Sequence, residues 1–287
     1  MKVGFVGVGA MGEPMAGHVL KSKKFDEVWA FDLNKAATKG IAKKGAKVAK
    51  SLEQLASTCD VIIIMVGFDH QVKQVVSDIT AAGGKKGQVL VITATSHPDM
   101  VRECAAIAKK AGIGVIDAPV CFGLDGAKAG TLASTVGGSK KDVEKARPVL
   151  ACYSRAVHHL GELGAGEIGK TINNMLHWAH CIANYEAILL GKIYGINAQK
   201  LRETLLQMPG TNGTLERWDE TRFTWQEKDM DIALDLAQKR KLPLPFFGQV
   251  DQLIKGYHAD DVAALLYEKA APYMGRMFSG KPISADD

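Results

Sequence analysis

The hydrophobic and polar positions of the first half of the chain follow two alternating periods. Short apolar runs predict β-strands at residues 2–8, 28–31, 61–66, 88–93 and 114–116. Between these runs the apolar positions recur at helical spacing, near residues 11–22, 34–44, 69–80 and 98–111. Strands that alternate with helices predict an α/β fold with a parallel, doubly wound sheet. Two further strands, near 131–136 and 155–159, flank a helix at about 139–151 and are expected to extend this sheet.

The pattern changes after Leu160. A glycine-rich stretch at 161–166 is followed by a helical pattern from Glu167 to about Tyr194, where Gly195 can cap the helix. A helix of ~28 residues is ~42 Å long, which is enough to connect two domains. Shorter helices are expected near 198–207, 214–222, 228–240, 246–256 and 261–273. The sequence therefore predicts a first domain at 1–163 and an all-α C-terminal domain at 164–287, with 164–195 as an interdomain helix.

A glycine-rich turn joins the first predicted strand to the first predicted helix. Gly7, Gly9 and Gly12 have the spacing G-x-G-x-x-G, with Ala10 and Met11 between them. In such a loop the first glycine permits a tight turn, the second lets the backbone approach a pyrophosphate, and the third lets the helix pack close to the strand. The N–H groups at the helix N-terminus then face the phosphates. We therefore predict that the first domain is a Rossmann fold, that it binds a dinucleotide, and that these five residues contact the cofactor.

Asp32 indicates which dinucleotide is bound. It ends an apolar run twenty residues after Gly12, where a Rossmann fold places the acid that binds the adenosine ribose hydroxyls. A carboxylate at this position repels the 2′-phosphate of NADP, so NAD is favoured over NADP. Lys35 lies three residues later and moderates this preference. In an open α/β sheet the ligand lies outside the carboxyl ends of the strands, so we expect the site in a cleft beside the helical domain.

Composition excludes several classes of function. The net charge of +5 is spread over short lysine pairs, and no stripe of basic residues is interleaved with aromatic residues. No nucleic-acid partner is therefore expected. No apolar stretch approaches the ~18 residues of a membrane span, and the N-terminus shows no signal peptide, so no membrane association is expected. The five cysteines form no CxxC pair, so we expect no metal site, no disulfide framework and a cytoplasmic location.

The start of the long predicted helix carries candidate chemistry. Lys170 and Asn174 are four residues apart and share a helix face, and His177 follows one turn later. A lysine can deliver a proton to a forming alkoxide or accept one from a hydroxyl, and a neighbouring carboxamide can orient the reacting oxygen. A solvated lysine and asparagines near a helix start are an equally good interpretation of the spacing alone. A lone histidine on a helix is more often a structural hydrogen-bonding residue than a participant in catalysis.

The chain resembles the β-hydroxyacid dehydrogenase family, which includes 3-hydroxyisobutyrate dehydrogenases and tartronate semialdehyde reductases. Four segments match in order and span nearly the whole chain: Gly7 to Ala16, Asp117 to Leu132, Gly164 to Asn174, and Lys228 to Leu234. The resemblance implies that Lys170 is the catalytic acid/base and that Asn174 positions the substrate. It also implies that Thr95 and Lys228 lie near the cofactor, and that the protein is a homodimer or homotetramer. From the residues themselves, Ser96 is expected to cap the helix that follows Thr95.

The chain departs from this family at the segment that holds the substrate. The family usually continues Asp-Ala-Pro-Val with Ser-Gly-Gly, whereas Val120 is here followed by Cys121, Phe122 and Gly123. Cysteine is a weaker hydrogen-bond donor than serine, and phenylalanine adopts positive φ angles only with strain. We expect residues 120–123 and His177 to bind the substrate, and the pocket to accept a bulkier or less anionic molecule than the family usually does.

These observations predict an NAD(H)-dependent oxidoreductase that interconverts a small 3-hydroxy acid, or a related alcohol, and its aldehyde or ketone. An imine reductase-like enzyme of the same architecture is one alternative, although such enzymes generally lack the lysine that stands here at position 170. A non-catalytic dinucleotide-binding sensor is the other, because a fold does not determine a function. Lys170 with Asn174 favours the enzyme over the sensor.

Overall fold

The structure is a computed structural model that describes residues 1–281. Its contacts divide the chain into two compact units, the first comprising Met1–Lys170 and the second beginning at Thr171. Within the described residues, no helix combines the length and the apolar character needed to span a bilayer.

Nine strands of the first unit form one sheet. They are β1 (Lys2–Val6), β2 (Glu27–Phe31), β3 (Lys47–Val48), β4 (Val61–Ile64), β5 (Val89–Ile92), β6 (Gly114–Asp117), β7 (Val120–Cys121), β8 (Leu132–Gly137) and β9 (Ser154–Gly161). The strand order is β3-β2-β1-β4-β5-β6-β8-β7, with β9 paired to β8. The pairs from β3 to β6 are all parallel. The order 3-2-1-4-5-6 is that of the Rossmann fold, so this prediction is confirmed.

Helices cover both faces of the sheet. They are α1 (Gly12–Ser22), α2 (Lys35–Lys43), α3 (Leu52–Thr58), α4 (Asp69–Ala81), α5 (Pro98–Lys109), α6 (Gly123–Ala129) and α7 (Lys140–Leu150). Alternate residues of β4 enter different cores: Val61 and Ile63 pack on one face of the sheet, and Ile62 and Ile64 on the other. All four side chains are fully buried. This is why the central strands are continuous apolar runs rather than alternating ones.

The expectation of a wholly parallel sheet is wrong at one end. Strand β8 runs antiparallel to both β6 and β7, and the parallel pattern resumes only between β8 and β9. The connection from β7 to β8 contains α6, which has only seven residues. A helix of that length advances ~10 Å, which is too short for a crossover that would return the chain to the other end of the sheet.

The second unit is built mainly from helices. Helix α8 (Ala165–Ile193) begins in the first unit and continues into the second. The helices that follow are α9 (Ala198–Leu205), α10 (Gly213–Glu216), α11 (Gln226–Lys239), α12 (Pro245–Ile254) and α13 (Ala259–Tyr267), with a 3-10 turn at Trp218–Glu220. Their core contains the buried aromatic residues Trp178, Tyr185 and Trp218. The long helix expected from Glu167 to about Tyr194 is confirmed.

The last helix is shorter than the sequence pattern suggests. The helix expected over 261–273 ends at Tyr267, and a hairpin of β10 (Ala270–Tyr273) and β11 (Arg276–Ser279) follows. Pro272 has no N–H group to continue a helix. Met274 and Gly275 both have positive φ angles, 47° and 74°, which is the backbone of a two-residue hairpin turn. The C-terminal part is therefore helical apart from this hairpin, and not all-α as expected.

Candidate functional site

The three glycines of the first loop have different surroundings. Gly7 has a φ of +85°, and a Cβ there would lie 2.1 Å from the carbonyl oxygen of Met65. A Cβ on Gly12 would lie 2.0 Å from the carbonyl oxygen of Gly7, so the start of α1 packs directly on the turn. A Cβ on Gly9 would meet no protein atom within 4 Å. The loop is thus tight where the chain turns and where the helix packs, and open at the glycine over which a pyrophosphate would lie.

The start of α1 and the end of β2 are arranged to complement a dinucleotide. Met11 occupies the N-cap position of α1 and makes no side-chain hydrogen bond to the helix, and Ala10 is exposed beside it. Asp32 is half-buried, and its carboxylate accepts hydrogen bonds from the backbone N–H groups of Val8 (2.9 Å) and Asn34 (2.8 Å). These bonds hold the carboxylate beside the glycine loop, and an ionised carboxylate retains acceptor capacity for ribose hydroxyls. The residues present therefore fit an NAD molecule.

Thr95 lies in the segment that leads from β5 to α5 and is half-buried. The expectation that Ser96 caps α5 is wrong. The N-cap is His97, whose Nδ1 accepts a hydrogen bond of 3.1 Å from the N–H of Asp99. Pro98 takes the first helical position, where its missing N–H group costs nothing, and this moves the cap one residue along the chain.

The start of α8 is fixed by one buried carboxylate. Asp117, at the end of β6, accepts hydrogen bonds from the N–H groups of Gly164 (2.8 Å) and Glu167 (2.7 Å). Thr135 Oγ1 donates a hydrogen bond to the carbonyl oxygen of Gly166 (2.9 Å). A Cβ built on Gly166 would lie 2.6 Å from the carbonyl oxygen of Thr135. The helix therefore lies directly over β8. From the sequence, Asp117 was recognised only as part of the family motif. The signal for its role is a carboxylate at the end of a strand, ahead of a helix whose start has no capping side chain.

This anchoring places Lys170 beside the strand that carries Cys121. The Lys170 ammonium group donates to the Cys121 sulfur over 3.7 Å, and both side chains are half-buried. Two residues that the sequence placed in one site, the candidate acid/base and the substituted family serine, are therefore in contact within the first unit.

The segment that follows Cys121 has the backbone expected of glycine. Phe122 has a φ of 81° and Gly123 a φ of 54°, and α6 begins at Gly123. Phe122 thus adopts the left-handed conformation at the cost of backbone strain. Its ring packs against the core of the first unit and lies 4.1 Å from the guanidinium carbon of Arg155. Val120 is buried in the same core, so its side chain is committed to packing.

The predicted residues of the second unit have local structural partners. Asn174 is buried and accepts a hydrogen bond from Asn173 Nδ2 (3.1 Å). A hydrogen bond of 3.0 Å joins His177 Nδ1 to Thr214 Oγ1, as the structural interpretation of a lone histidine anticipates. Lys228 lies in the first turns of α11, with its Nζ 5.8 Å from the centre of the Trp225 ring.

Burial changes the pKa values at the start of α8. Burial raises the pKa of Asp117 above its usual value, although the hydrogen bonds that its carboxylate accepts from backbone N–H groups oppose this shift. The pKa of Glu167 is raised well above the ordinary value of a glutamate, again mainly by burial. Glu167 was predicted from the sequence only as the beginning of a helix and not as a residue of the site. Within residues 1–281, no group of three His, Cys, Asp or Glu side chains is arranged to hold a metal ion.

Two family models together cover most of the chain. Residues 2–161 match the NAD-binding domain of 6-phosphogluconate dehydrogenase. Residues 164–267 match the model described as NAD-binding of NADP-dependent 3-hydroxyisobutyrate dehydrogenase.

Relatives of known activity match over similar lengths. A 2-(hydroxymethyl)glutarate dehydrogenase of Eubacterium barkeri is 30% identical, covering 93% of this chain and 94% of its own. An NAD-dependent L-serine dehydrogenase of Pseudomonas aeruginosa is 35% identical over 75% of this chain and 72% of its own. The structure of Mycobacterium tuberculosis 3-hydroxyisobutyrate dehydrogenase with L-serine matches with a TM-score of 0.81 at 28% identity, over 93% of this chain and 98% of that one. The chain therefore belongs to the β-hydroxyacid dehydrogenase family, and like these relatives it is an oxidoreductase that acts on the CH–OH group of a hydroxy acid.

Proposed function

We propose that this enzyme interconverts a small 3-hydroxy acid and its aldehyde or ketone, with Lys170 as the general acid/base. The observation that carries the proposal is the position of Lys170. It lies on a helix whose start is bonded to the end of β6, and its Nζ is 3.7 Å from Cys121 on β7. A lysine held in this way, on the domain that carries the dinucleotide loop, has a defined location rather than that of a solvated surface side chain.

The reaction divides between the cofactor and the protein. NAD(H), when bound, accepts or supplies the hydride. Lys170 takes the hydroxyl proton during oxidation and returns it to the alkoxide oxygen during reduction, a contribution of roughly 10²–10⁴-fold in rate. Asn174 lies one turn along the same helix, and its carboxamide can both donate to and accept from the substrate oxygen.

The names of the relatives narrow the substrate class. 2-(Hydroxymethyl)glutarate, L-serine and 3-hydroxyisobutyrate all carry a hydroxymethyl group on the carbon next to a carboxylate. We expect the substrate of this enzyme to share that unit. The backbone N–H groups of residues 120–123, together with the Cys121 side chain, would hold its carboxylate end, and His177 would contact the rest of the substrate. Cys121 provides a weaker donor than serine, so the carboxylate is held less tightly here.

The remaining site residues belong to the cofactor. Gly7, Gly9, Ala10, Met11 and Gly12 would hold the pyrophosphate and Asp32 the adenosine ribose, which favours NAD over NADP. Thr95 and Lys228 would lie near the nicotinamide end. We also expect a cytoplasmic location, as the cysteine usage indicates, and a homodimer or homotetramer, as the family resemblance implies. Light scattering after gel filtration measures the oligomeric state.

The test is a steady-state assay of NADH formation with a panel of 3-hydroxy acids that differ at the second carbon. Wild type is compared with Lys170→Ala, and Lys109→Ala serves as a matched control because Lys109 is an exposed lysine of the same unit. We expect activity on at least one panel member and its loss by roughly 10²-fold or more in Lys170→Ala only. Full turnover by Lys170→Ala would overturn the assignment.

A further inference from the structure

Glu167 is a buried acid at a position where an exposed one is usual. It lies in the first turn of α8, where a glutamate ordinarily faces solvent and interacts favourably with the helix dipole. Here the residue is 0% exposed. Fully buried glutamates are rare unless a partner compensates for the lost hydration, so the contacts of this side chain require an explanation.

These contacts join two parts of the active site. Glu167 Oε2 accepts a hydrogen bond of 3.1 Å from the N–H of Ser96, which directly follows Thr95 at the carboxyl end of β5. The backbone of Glu167 donates to Asp117 at the end of β6. Lys170 is three residues further along α8 and therefore on the adjoining part of the helix surface. Glu167 thus connects the segment expected beside the nicotinamide to the helix turn that carries the proposed acid/base.

Burial and the neighbouring carboxyls favour the neutral form of Glu167. Burial is the largest effect, and the charges of Asp117 of β6 and Asp69 of α4 act in the same direction, whereas the hydrogen bond from Ser96 and the charge of Lys170 favour the ionised form. The net effect raises the pKa of Glu167 well above its ordinary value. The charged Arg102 of α5 also reaches this region, where its guanidinium lies close to Gly164.

Of the two neighbouring carboxyls, Asp117 is the one equipped to remain ionised. It receives backbone N–H groups on both oxygens, at 2.8 and 2.7 Å, and such donors stabilise a carboxylate. The bond that Glu167 accepts from the Ser96 N–H group, at 3.1 Å, is longer than both bonds of Asp117. Two adjacent buried carboxyls do not readily carry two negative charges, so the proton resides on Glu167.

We propose that Glu167 is a positioning residue of the active site: a neutral carboxylic acid that joins the Thr95–Ser96 segment to the turn carrying Lys170. This inference rests on the proposed function of Lys170. Ionisation of Glu167 places a second carboxylate beside Asp117. The repulsion between the two carboxylates then loosens the contact of Glu167 with Ser96 and displaces the turn that carries Lys170. Activity of the wild type therefore falls as the pH rises through the pKa of Glu167.

The first test reads the protonation state without an activity assay. Isotope-edited infrared difference spectra of wild type and Glu167→Gln at neutral pH should show a carboxylic acid band that the variant lacks. A carboxylate band in its place would overturn the proposal.

The second test uses thermal unfolding. A glutamate whose folded pKa is raised contributes stability below its unfolded pKa, and this contribution is lost as the pH rises towards the folded pKa. The melting temperature of Glu167→Gln should therefore rise relative to wild type by about 3 °C per pH unit over that window and then level off. Glu53→Gln is the matched control, since Glu53 is an exposed first-turn glutamate of α3. A constant difference between Glu167→Gln and wild type would contradict a raised pKa.

The third test is the pH profile of kcat. Glu167→Gln keeps the neutral acceptor and should lie within about threefold of wild type at neutral pH, while retaining activity at alkaline pH where wild type loses it. Glu167→Ala removes the join and should lose roughly 10-fold or more. Superimposable profiles of wild type and Glu167→Gln would refute the role. Failure of the proposed function would show separately, as turnover retained by Lys170→Ala, and would leave the infrared and unfolding results unchanged.

Discussion

Gly9 and Gly12 belong to one motif, yet their surroundings differ. The space beside Gly12 is filled by the Gly7 carbonyl group, whereas no protein atom lies within 4 Å of a Cβ built on Gly9. Gly12 is therefore required by the fold, whereas the fold does not require Gly9, whose proposed role is to let the cofactor approach the backbone.

This difference gives a paired prediction. Gly12→Ala should lower the free energy of unfolding by about 1–3 kcal/mol or more, because the new methyl group overlaps backbone. Gly9→Ala should leave unfolding nearly unchanged but raise the Kd for NADH by roughly tenfold or more, because the methyl group lies where the pyrophosphate approaches. Urea denaturation and fluorescence titration with NADH measure the two quantities. The account of the loop is contradicted if Gly9→Ala binds NADH like wild type.

Cys121 stands where the family usually has a serine, and its sulfur is in direct contact with Lys170. Cys121→Ser restores the stronger donor that the family usually has. One neutral hydrogen bond contributes about 0.5–1.5 kcal/mol, so the KM for the best 3-hydroxy acid should fall by roughly 2–10-fold. The measurement is steady-state kinetics with the substrate varied at saturating NAD. An unchanged KM would mean that residue 121 does not contact the substrate carboxylate.

At the scale of elements, α8 depends on Asp117. The fully buried Asp117 carboxylate accepts hydrogen bonds from the N–H groups of Gly164, just before α8, and Glu167 in its first turn. Asp117→Ala leaves both groups buried without this acceptor, at a cost of about 1–3 kcal/mol for each. We expect a lower urea midpoint together with reduced activity, because the same turn positions Lys170. The control is Asp260→Ala, an exposed first-turn aspartate of α13, which should change the midpoint little. If both substitutions lowered the urea midpoint equally, Asp117 would have no special role in stabilising the start of α8.

The elements that the sequence predicted correctly are those whose pattern records burial. The apolar runs of β4 and β5 are buried on both faces, and α8 has a sustained helical period. Strand direction leaves no such pattern, so β8 was predicted as a strand but its antiparallel direction was not. Helix α6 was also missed, because two glycines in seven residues give it a weak propensity. The hairpin after Tyr267 was mistaken for helix because its apolar residues fit either period.

At the scale of the whole molecule, the order of four motifs predicted the family, and both family models confirm it. The contacts of individual side chains could not be predicted from the hydrophobic pattern or from the motifs. Two contacts join residues that are distant in sequence: Phe122 stacks on Arg155, and His177 is hydrogen-bonded to Thr214. The burial of Glu167 likewise depends on distant parts of the chain. Such contacts depend on which elements pack together, and this information is not contained in the spacing along one helix. The family and the fold were therefore predictable from the sequence, but the arrangement of the side chains within the candidate site was not.

The most direct measurement of the central claim is a single-turnover experiment on Lys170→Ala. Enzyme in excess over a 3-hydroxy acid is mixed with NAD, and formation of the reduced cofactor is followed by its absorbance, with Lys109→Ala alongside. The account predicts that NAD binding is unchanged while the rate constant of the chemical step falls by roughly 10²–10⁴-fold in Lys170→Ala alone. A single-turnover rate equal to that of wild type would contradict the assignment of Lys170 as the group that moves the proton.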